Sequence, residues 1–444
     1  MPRAIMDTIQ AALQWSDNIK ASIDSIHDPE TKQAVIQAIE SMEERGIIND
    51  SVEVDDVYLK TLRENHIQRP RICAAYFILT EQCNFRCSYC HIIHSVQDRA
   101  EHTMSIERAD KGLALYARLF AEAEWPAEVE PAITFYGGEP LLNIKTLYHL
   151  LEQIDLYKKN GRLPEKLETN MVTNGALMTP EIATVLLRHG VKVAVSLDGD
   201  AVAHDAHRHT AGQAASAGAK RALEVCRSVG LEPTLSVTVS ETLLARQDQA
   251  LDAIINEYRP RGMGFNIIVS TPNDLEAPAP DYPERAAAFL MKAFEVLRAH
   301  GIYEDRVMRR AKPLVKGIVV PYDCAASSAE QIVVAPDGQV GICHFYIGSR
   351  QYFDGHVDDA EFSATTNPVH NRWVQRSPLN MEACEGCEAR GTCGGGCPMA
   401  AEQNTGSIWG LDTRHCVHAK ATQEWLVWDV YRQSQQSEPT EAAA

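Results

Sequence analysis

Between residues 72 and 269 the chain alternates short apolar runs with longer segments whose apolar residues recur every three or four positions. The runs cover 72–79, 132–136, 167–172, 192–197, 233–239 and 264–269, each the length of one strand. The segments 106–121, 147–158, 180–188, 214–229 and 244–257 carry the helical period. Strand and helix in strict alternation predict parallel βαβ units, six in all. Polar residues of chemical interest cluster just after the runs, at the strand ends where such folds build their sites.

The flanks have another texture. In residues 1–70, Ile9, Leu13, Trp15 and Ile19 form one helical stripe, and Val35, Ile36, Ile39 and Met42 form a second that Gly46 ends. This predicts a helical N-terminal region. Residues 270–282 are Pro-rich and read as a linker, followed by a helix over 283–299. The tail lacks apolar periodicity and is expected to be disordered. No internal repeat is present.

Sixty acidic residues against 42 basic ones give a formal charge of −18, spread along the chain. That excess argues against a nucleic-acid partner, which calls for a basic footprint. No run reaches the roughly 18–20 apolar residues that span a membrane, so no membrane partner is expected. The N-terminus lacks the charged and apolar regions of a signal peptide, which predicts a cytoplasmic protein. In that reducing setting, twelve cysteines point to metal rather than disulfides.

Ten of the twelve fall into two groups. Cys83, Cys87 and Cys90 form a Cys-x3-Cys-x2-Cys loop directly after the first strand. Cys324, Cys343, Cys384, Cys387, Cys393, Cys397 and Cys416 form the second group, with a Cys-x2-Cys-x5-Cys-x3-Cys core. A [4Fe–4S] cluster takes four thiolates, so a three-cysteine loop leaves one iron open to a small molecule. Zinc is the competing reading of each group, although zinc loops usually pair two Cys-x2-Cys arms and close every position. Cys73 and Cys226 read as small buried hydrophobes.

The three-cysteine loop, with Tyr89 before its last cysteine, resembles the signature of radical S-adenosylmethionine (SAM) enzymes. The seven later cysteines resemble the SPASM extension found in members that modify peptides and proteins. The resemblance covers roughly residues 72–420. It implies an α/β fold, a partial (β/α)6 TIM-like barrel with a helical N-terminal segment and a C-terminal cysteine-rich SPASM domain. The divisions expected are 1–70, a cap on the barrel or a leader-peptide contact; 71–282, the barrel; 283–321, a linker helix region; 322–430, the auxiliary-cluster domain; and 431–444, the disordered tail.

By the same resemblance, the open iron of the first cluster is chelated by SAM, and its reduction yields a 5′-deoxyadenosyl radical. Gly137, Gly138, Glu139 and Pro140 match the segment that receives the SAM amino group. Asn174, Ser196 and Asp198 match positions facing ribose or methionine, and Arg208 matches a carboxylate partner. Tyr89, before the last cysteine of the loop, matches a cofactor-binding position, and the backbone around His91 lies where adenine is read. Cys384, Cys387, Cys393 and Cys416 match the ligands of one auxiliary cluster, and Cys324, Cys343 and Cys397 those of another. That makes three [4Fe–4S] clusters. Some relatives carry an eighth cysteine shortly before the position of Cys324; here 317–323 has none. The inner auxiliary cluster is therefore expected to have only three protein thiolates, its fourth iron taking a water, a non-cysteine residue or a substrate thiolate.

The expected function is maturation of a ribosomally made precursor peptide, with thioether crosslinking favoured and an electron donor such as flavodoxin or ferredoxin. The alternatives are an anaerobic sulfatase maturase forming formylglycine, and carbon–carbon crosslinking or epimerisation of a peptide. Sulfatase maturases carry a catalytic aspartate directly after the cysteine matching Cys343. Here the residue is His344, a candidate catalytic base in its own right. A binding or electron-transfer protein without radical chemistry is the remaining class, and it has no use for the segments matching the SAM site.

Overall fold

A computed structural model describes residues 23–24, 26–44, 52–67, 69–92, 102–210, 214–269 and 278–436. The chain divides into two compact units, Met1–Asn65 with Val427–Ala444, and His66–Leu426. In the first, helix α1 (Pro29–Glu44) buries Val35, Ala38 and Ile39 against Ile23 and Ile26. Helix α2 (Val52–His66) follows. The stripe of Ile9, Leu13, Trp15 and Ile19 and the stop at Gly46 lie outside the described residues.

The second unit is built on one ten-stranded sheet. Its first seven strands are β1 (Ala74–Thr80), β2 (Ala132–Gly137), β3 (Glu168–Thr173), β4 (Lys192–Ser196), β5 (Thr234–Val239), β6 (Gly262–Ile267) and β7 (Tyr303–Glu304). They lie side by side in sequence order, every pair parallel. Because all run the same way, all their C-terminal ends share one rim. The helices between them include α3 (Ile106–Ala121), α4 (Ile144–Lys159), α5 (Pro180–Arg188), α6 (Ala201–His207) and α7 (Ala215–Ser228).

Local chemistry explains why some helix boundaries could be read directly. The Ser105 hydroxyl accepts from Arg108 N at 3.2 Å and starts α3, an N-cap worth about 1 kcal/mol. Thr179 caps α5 in the same way, with Pro180 in the first turn. Along α3 the buried residues Ala109, Leu113 and Tyr116 face the sheet at helical spacing. Cys226 is fully buried in α7, as expected for a small hydrophobe, and Cys73 is half-buried just ahead of β1.

Three segments depart from expectation. The single helix expected over 244–257 is broken into α8 (Glu241–Ala245), α9 (Gln247–Asp252) and a π-helical turn, Ala253–Tyr258. The break falls at Arg246, whose backbone leaves helical angles while its guanidinium grips the Asp200 carboxylate at 2.5 Å. The region 283–321 is more than a linker. After helix α10 (Tyr282–Ala299) it adds β7 to the sheet and then helix α11 (Asp305–Lys316). The last helix runs on through Gln436, into the stretch expected to lack structure.

The cysteine-rich segment joins the same sheet from the other side. Strand β8 (Gln331–Val334) lies parallel to β1, with Ala74 opposite Gln331 and Phe77 opposite Val334. Strands β9 (Gln339–Gly341) and β10 (Gly355–His356) continue it antiparallel. The result is an α/β fold with a mixed sheet, a partial barrel whose core includes Phe77, Phe135, Met171, Val195 and Phe265. A second core of Ile78, Val333, Ile342, Tyr346 and Trp373 lies under the cysteine-rich segment. No helix of the described residues is long and apolar enough to cross a membrane.

Candidate functional site

The loop of Cys83, Cys87 and Cys90 leaves the C-terminal end of β1 and is pinned to the chain after α6. Arg86 N donates to His209 O and Ser88 N to His207 O, both at 2.8 Å. Phe85 is buried beneath the loop with Cys87 and Ala215, and Cys83, Tyr89 and Cys90 pack around them. The three thiols are thereby gathered about one aromatic anchor. They act on one another electrostatically, and burial pushes the Cys83 thiol up to about 11 and the Cys87 thiol to about 12. Buried thiols of this kind ionise when a metal takes the thiolate, and an all-sulfur donor set suits iron–sulfur iron. None of the twelve cysteines is in a disulfide. The donor set therefore fits the cluster that the resemblance implies.

Gly137 and Gly138 seat the next loop directly against this one. Gly138 N donates to Thr80 O at 2.8 Å, and Glu139 N to Gln82 O at 2.9 Å. A Cβ on Gly138 would stand 2.1 Å from Gln82 O, and one on Gly137 2.3 Å from Thr80 O. Only glycine permits that approach. Pro140 opens a short 3-10 turn that Glu139 caps through Leu141 N at 3.1 Å.

The Glu139 carboxylate is occupied by its own chain. It also accepts from Thr173 Oγ1 and from Asn174 N, each at 2.8 Å, and so ties the end of β2 to the end of β3. Burial raises its pKa to about 7 against the pull of those bonds. Asn174 reaches back to the cysteine loop, donating to Asn84 Oδ1 at 2.8 Å.

Asp198 and Arg208, both expected at the SAM site, form an ion pair with each other. Arg208 donates from Nε at 2.8 Å and from Nη2 at 3.1 Å to the two oxygens of Asp198. Thr238 N donates to the same carboxylate at 2.8 Å, and the Tyr89 hydroxyl donates to it as well. The guanidinium lies over the Tyr89 ring, 5.5 Å from its centre. Although burial alone would raise the Asp198 pKa, the guanidinium beside it holds it below the usual carboxylate value. Tyr89, Asp198 and Arg208 thus lock the cysteine loop to the ends of β4 and β5. Ser196, at the end of β4, is buried opposite Ser236.

The seven later cysteines sort into two sets by proximity. Cys416 acts electrostatically with Cys393, Cys384 and Cys387, while Cys343 acts with Cys397 and Cys324. The turn Gly394–Gly396 carries the chain from one to the other, with all three residues at positive φ. A Cβ on Gly394 would stand 2.5 Å from Asp323 N, so glycine lets the turn pass against the chain leading to Cys324. Asp323 is held in turn by Arg310 of α11 at 2.5 Å.

His344 lies in an aromatic box at the barrel rim. Its ring stacks on Tyr76 of β1 at 4.7 Å, meets Tyr136 of β2 edge-on at 5.1 Å and stands 5.9 Å from His91. His91 stacks on Phe345 at 4.0 Å. Burial lowers the His344 pKa to about 4, so the ring is neutral at pH 7, and its buried Nδ1 has no hydrogen-bond partner among the described residues. The box brings the segment of Cys343 up to the loop of Cys90. Sequence reasoning missed Tyr76, Tyr136 and Arg310. Tyr76 and Tyr136 sit within apolar runs, where an aromatic residue reads as core.

Comparison with known proteins agrees with this geometry. Residues 77–248 match the family model described as the radical SAM superfamily. The chain is 25% identical over 362 residues to the radical SAM cyclopropyl synthase TigE of Paramaledivibacter caminithermalis, covering 78% of this chain and 72% of that protein. It is 22% identical over 337 residues to a cysteine-type anaerobic sulfatase-maturating enzyme of Clostridium novyi, covering 73% and 87%. Among solved structures, native anSMEcpe with bound AdoMet and Cp18Cys peptide superposes with a TM-score of 0.66 at 18% identity, over 82% of this chain and 99% of that one.

Proposed function

We propose that this radical SAM oxidoreductase, with its SPASM-like C-terminal domain, oxidises a side chain of a peptide or protein substrate. The observation that carries the reading is the shared rim: the cysteine loop, the Gly137–Pro140 turn, Asn174 and the His344 box all meet where the parallel strands end. Bound there, the cluster and SAM supply a radical able to take a hydrogen atom from carbon. The protein's own work is placement. Tyr89, Asp198 and Arg208 fix the loop that would hold the cluster, and Glu139 braces the Gly137–Pro140 turn that would receive SAM. His344, neutral and with a free ring nitrogen, is placed to accept the proton that a side chain gives up when its carbon is oxidised. Three [4Fe–4S] clusters and a flavodoxin or ferredoxin donor belong to this proposal.

Among the possible products, the sulfatase-maturing relatives favour formylglycine over the thioether expected from sequence. Thioether formation stays as a second reading because the set of Cys324, Cys343 and Cys397 offers three thiols, with Cys324 exposed. One assay separates them. The reconstituted enzyme is incubated anaerobically with SAM and a reductant, together with either a sulfatase-motif peptide or a cysteine peptide that can crosslink. An aldehyde trapped by a hydrazide supports the first reading. Loss of two hydrogens without an aldehyde, abolished by Cys→Ala in the peptide, supports the second. SAM cleavage with no change in either peptide would sink both.

A further inference from the structure

Arg376 follows helix α12 (Pro368–Val374) and is fully buried, second in size only to Trp373 among the largest fully buried side chains. Its donors go to main-chain carbonyls: Nε to Ile408 O, Nη1 to Gly396 O at 3.3 Å and Nη2 to Gly410 O at 3.2 Å. Among the described residues no carboxylate forms an ion pair with it. Asp412, the acid it feels most, is already paired with Arg414 at 2.8 Å. A guanidinium stripped of water and met only by neutral carbonyls is strongly under-compensated. A buried cation of this kind calls for a counter-charge that the polypeptide does not supply.

Its surroundings show where that charge belongs. The thiols that act on Arg376 are Cys397 and Cys324 of one set and Cys384 of the other. The turn between Cys393 and Cys397 wraps the guanidinium so closely that a Cβ on Gly395 would stand 3.4 Å from Nη1. The side chain therefore lies within electrostatic reach of both thiol sets, held by the loop that links them. We propose that Arg376 is the shared counter-ion of both auxiliary clusters and raises their reduction potentials together. The inference rests on the reading above that the seven cysteines hold two clusters. Thiolate-ligated clusters are anionic and gain one negative charge on reduction, so a fixed cation within reach of both stabilises the reduced form of each.

The test uses full-length reconstituted protein in which Cys83, Cys87 and Cys90 are replaced by Ala, so that only auxiliary signals remain. Iron content comes first. Fewer than about eight iron atoms would reject the two-cluster reading itself, separately from the role of Arg376. In an EPR-monitored redox titration, Arg376→Gln is expected to lower the reduced-to-oxidised ratio at fixed potential at least about tenfold, about 59 mV for one electron. Arg376→Lys, which keeps the charge, is expected to stay within about threefold of the parent. Full iron with an unchanged ratio in Arg376→Gln overturns the proposal, and so does Lys behaving like Gln. If Arg376→Gln loses iron, restoration by Lys supports the counter-ion role. Failure of both variants to hold iron assigns the side chain to packing alone.

Discussion

Replacing Asp198 by Asn tests whether the rim is braced by an ion pair or lined by SAM ligands. The carboxylate accepts from Arg208 at 2.8 and 3.1 Å, from Thr238 N at 2.8 Å and from the Tyr89 hydroxyl; Asp198 and Arg208 are buried, and Thr238 and Tyr89 half-buried. Asn keeps the shape and removes the charge, leaving the Arg208 guanidinium without its counter-ion. Breaking a buried pair from one side typically costs about 3–5 kcal/mol. The loss should appear in urea unfolding of iron-free, SAM-free protein, because nothing in the pair depends on the cofactor. Adding Arg208→Met to Asp198→Asn should recover most of it, since removing both charges is far less harmful than removing one. The pH dependence has a definite sign. The Asp198 pKa is lowered in the folded state, so its stabilisation is fully present above the unfolded value of about 3.9 and is lost as pH falls through the lower folded value. The gap between wild type and variant should be flat at neutral pH and close only below about pH 4. An unchanged apo unfolding midpoint, together with weakened SAM binding, would refute the brace and return Asp198 to the role of ligand.

Three further outcomes are expected. The Cys83/Cys87/Cys90 triple Ala variant should lose about a third of roughly twelve iron atoms and all SAM cleavage, measured by iron assay and product chromatography, while the auxiliary signals persist. Gly138→Ala places a methyl 2.1 Å from Gln82 O and should disorder the cysteine loop, removing the SAM-dependent spectral change but not the iron of the seven-cysteine segment. Glu139 carries a pKa raised to about 7, so it binds a proton more tightly folded than unfolded and its contribution declines as pH rises from about 4 towards 7. Glu139→Gln should flatten that slope in apo-protein unfolding, and an identical slope in wild type and variant would place the titration elsewhere.

Much of this arrangement could be read from sequence because it is local. Ser105 and Thr179 announce their helices through side chains three residues from the groups they cap. The three-cysteine loop and the glycine turn before Cys397 can be read because each lies within one short segment. What could not be read is long-range. Asp198 and Arg208 each look like ligands, and only the folded chain, which closes a 2.8 Å ion pair across α6, shows that they satisfy one another. Strand β7 is two residues long, below any periodic signal, and exists because β6 offers it an edge. The break at Arg246 depends on Asp200, forty-six residues earlier in the chain. Arg376 carries no local mark at all, because its meaning lies in sulfur atoms of both thiol sets.

The pairing of β8 with β1 bears on how such a protein can be taken apart. Strand β1 is the innermost start of the barrel, with Ala75 and Phe77 wholly buried, and β8 occupies the side that β2 leaves open. A chain cut before the seven-cysteine segment would present that row of unpaired backbone groups, flanked by apolar side chains, as a template for another molecule. The cysteine-rich segment therefore guards the barrel against self-association as well as carrying thiols. Truncated barrels of this chain should precipitate unless the hairpin of β8 and β9 is retained, and a domain exchange that respects the cysteine motifs but severs this hairpin should fail at expression rather than at catalysis.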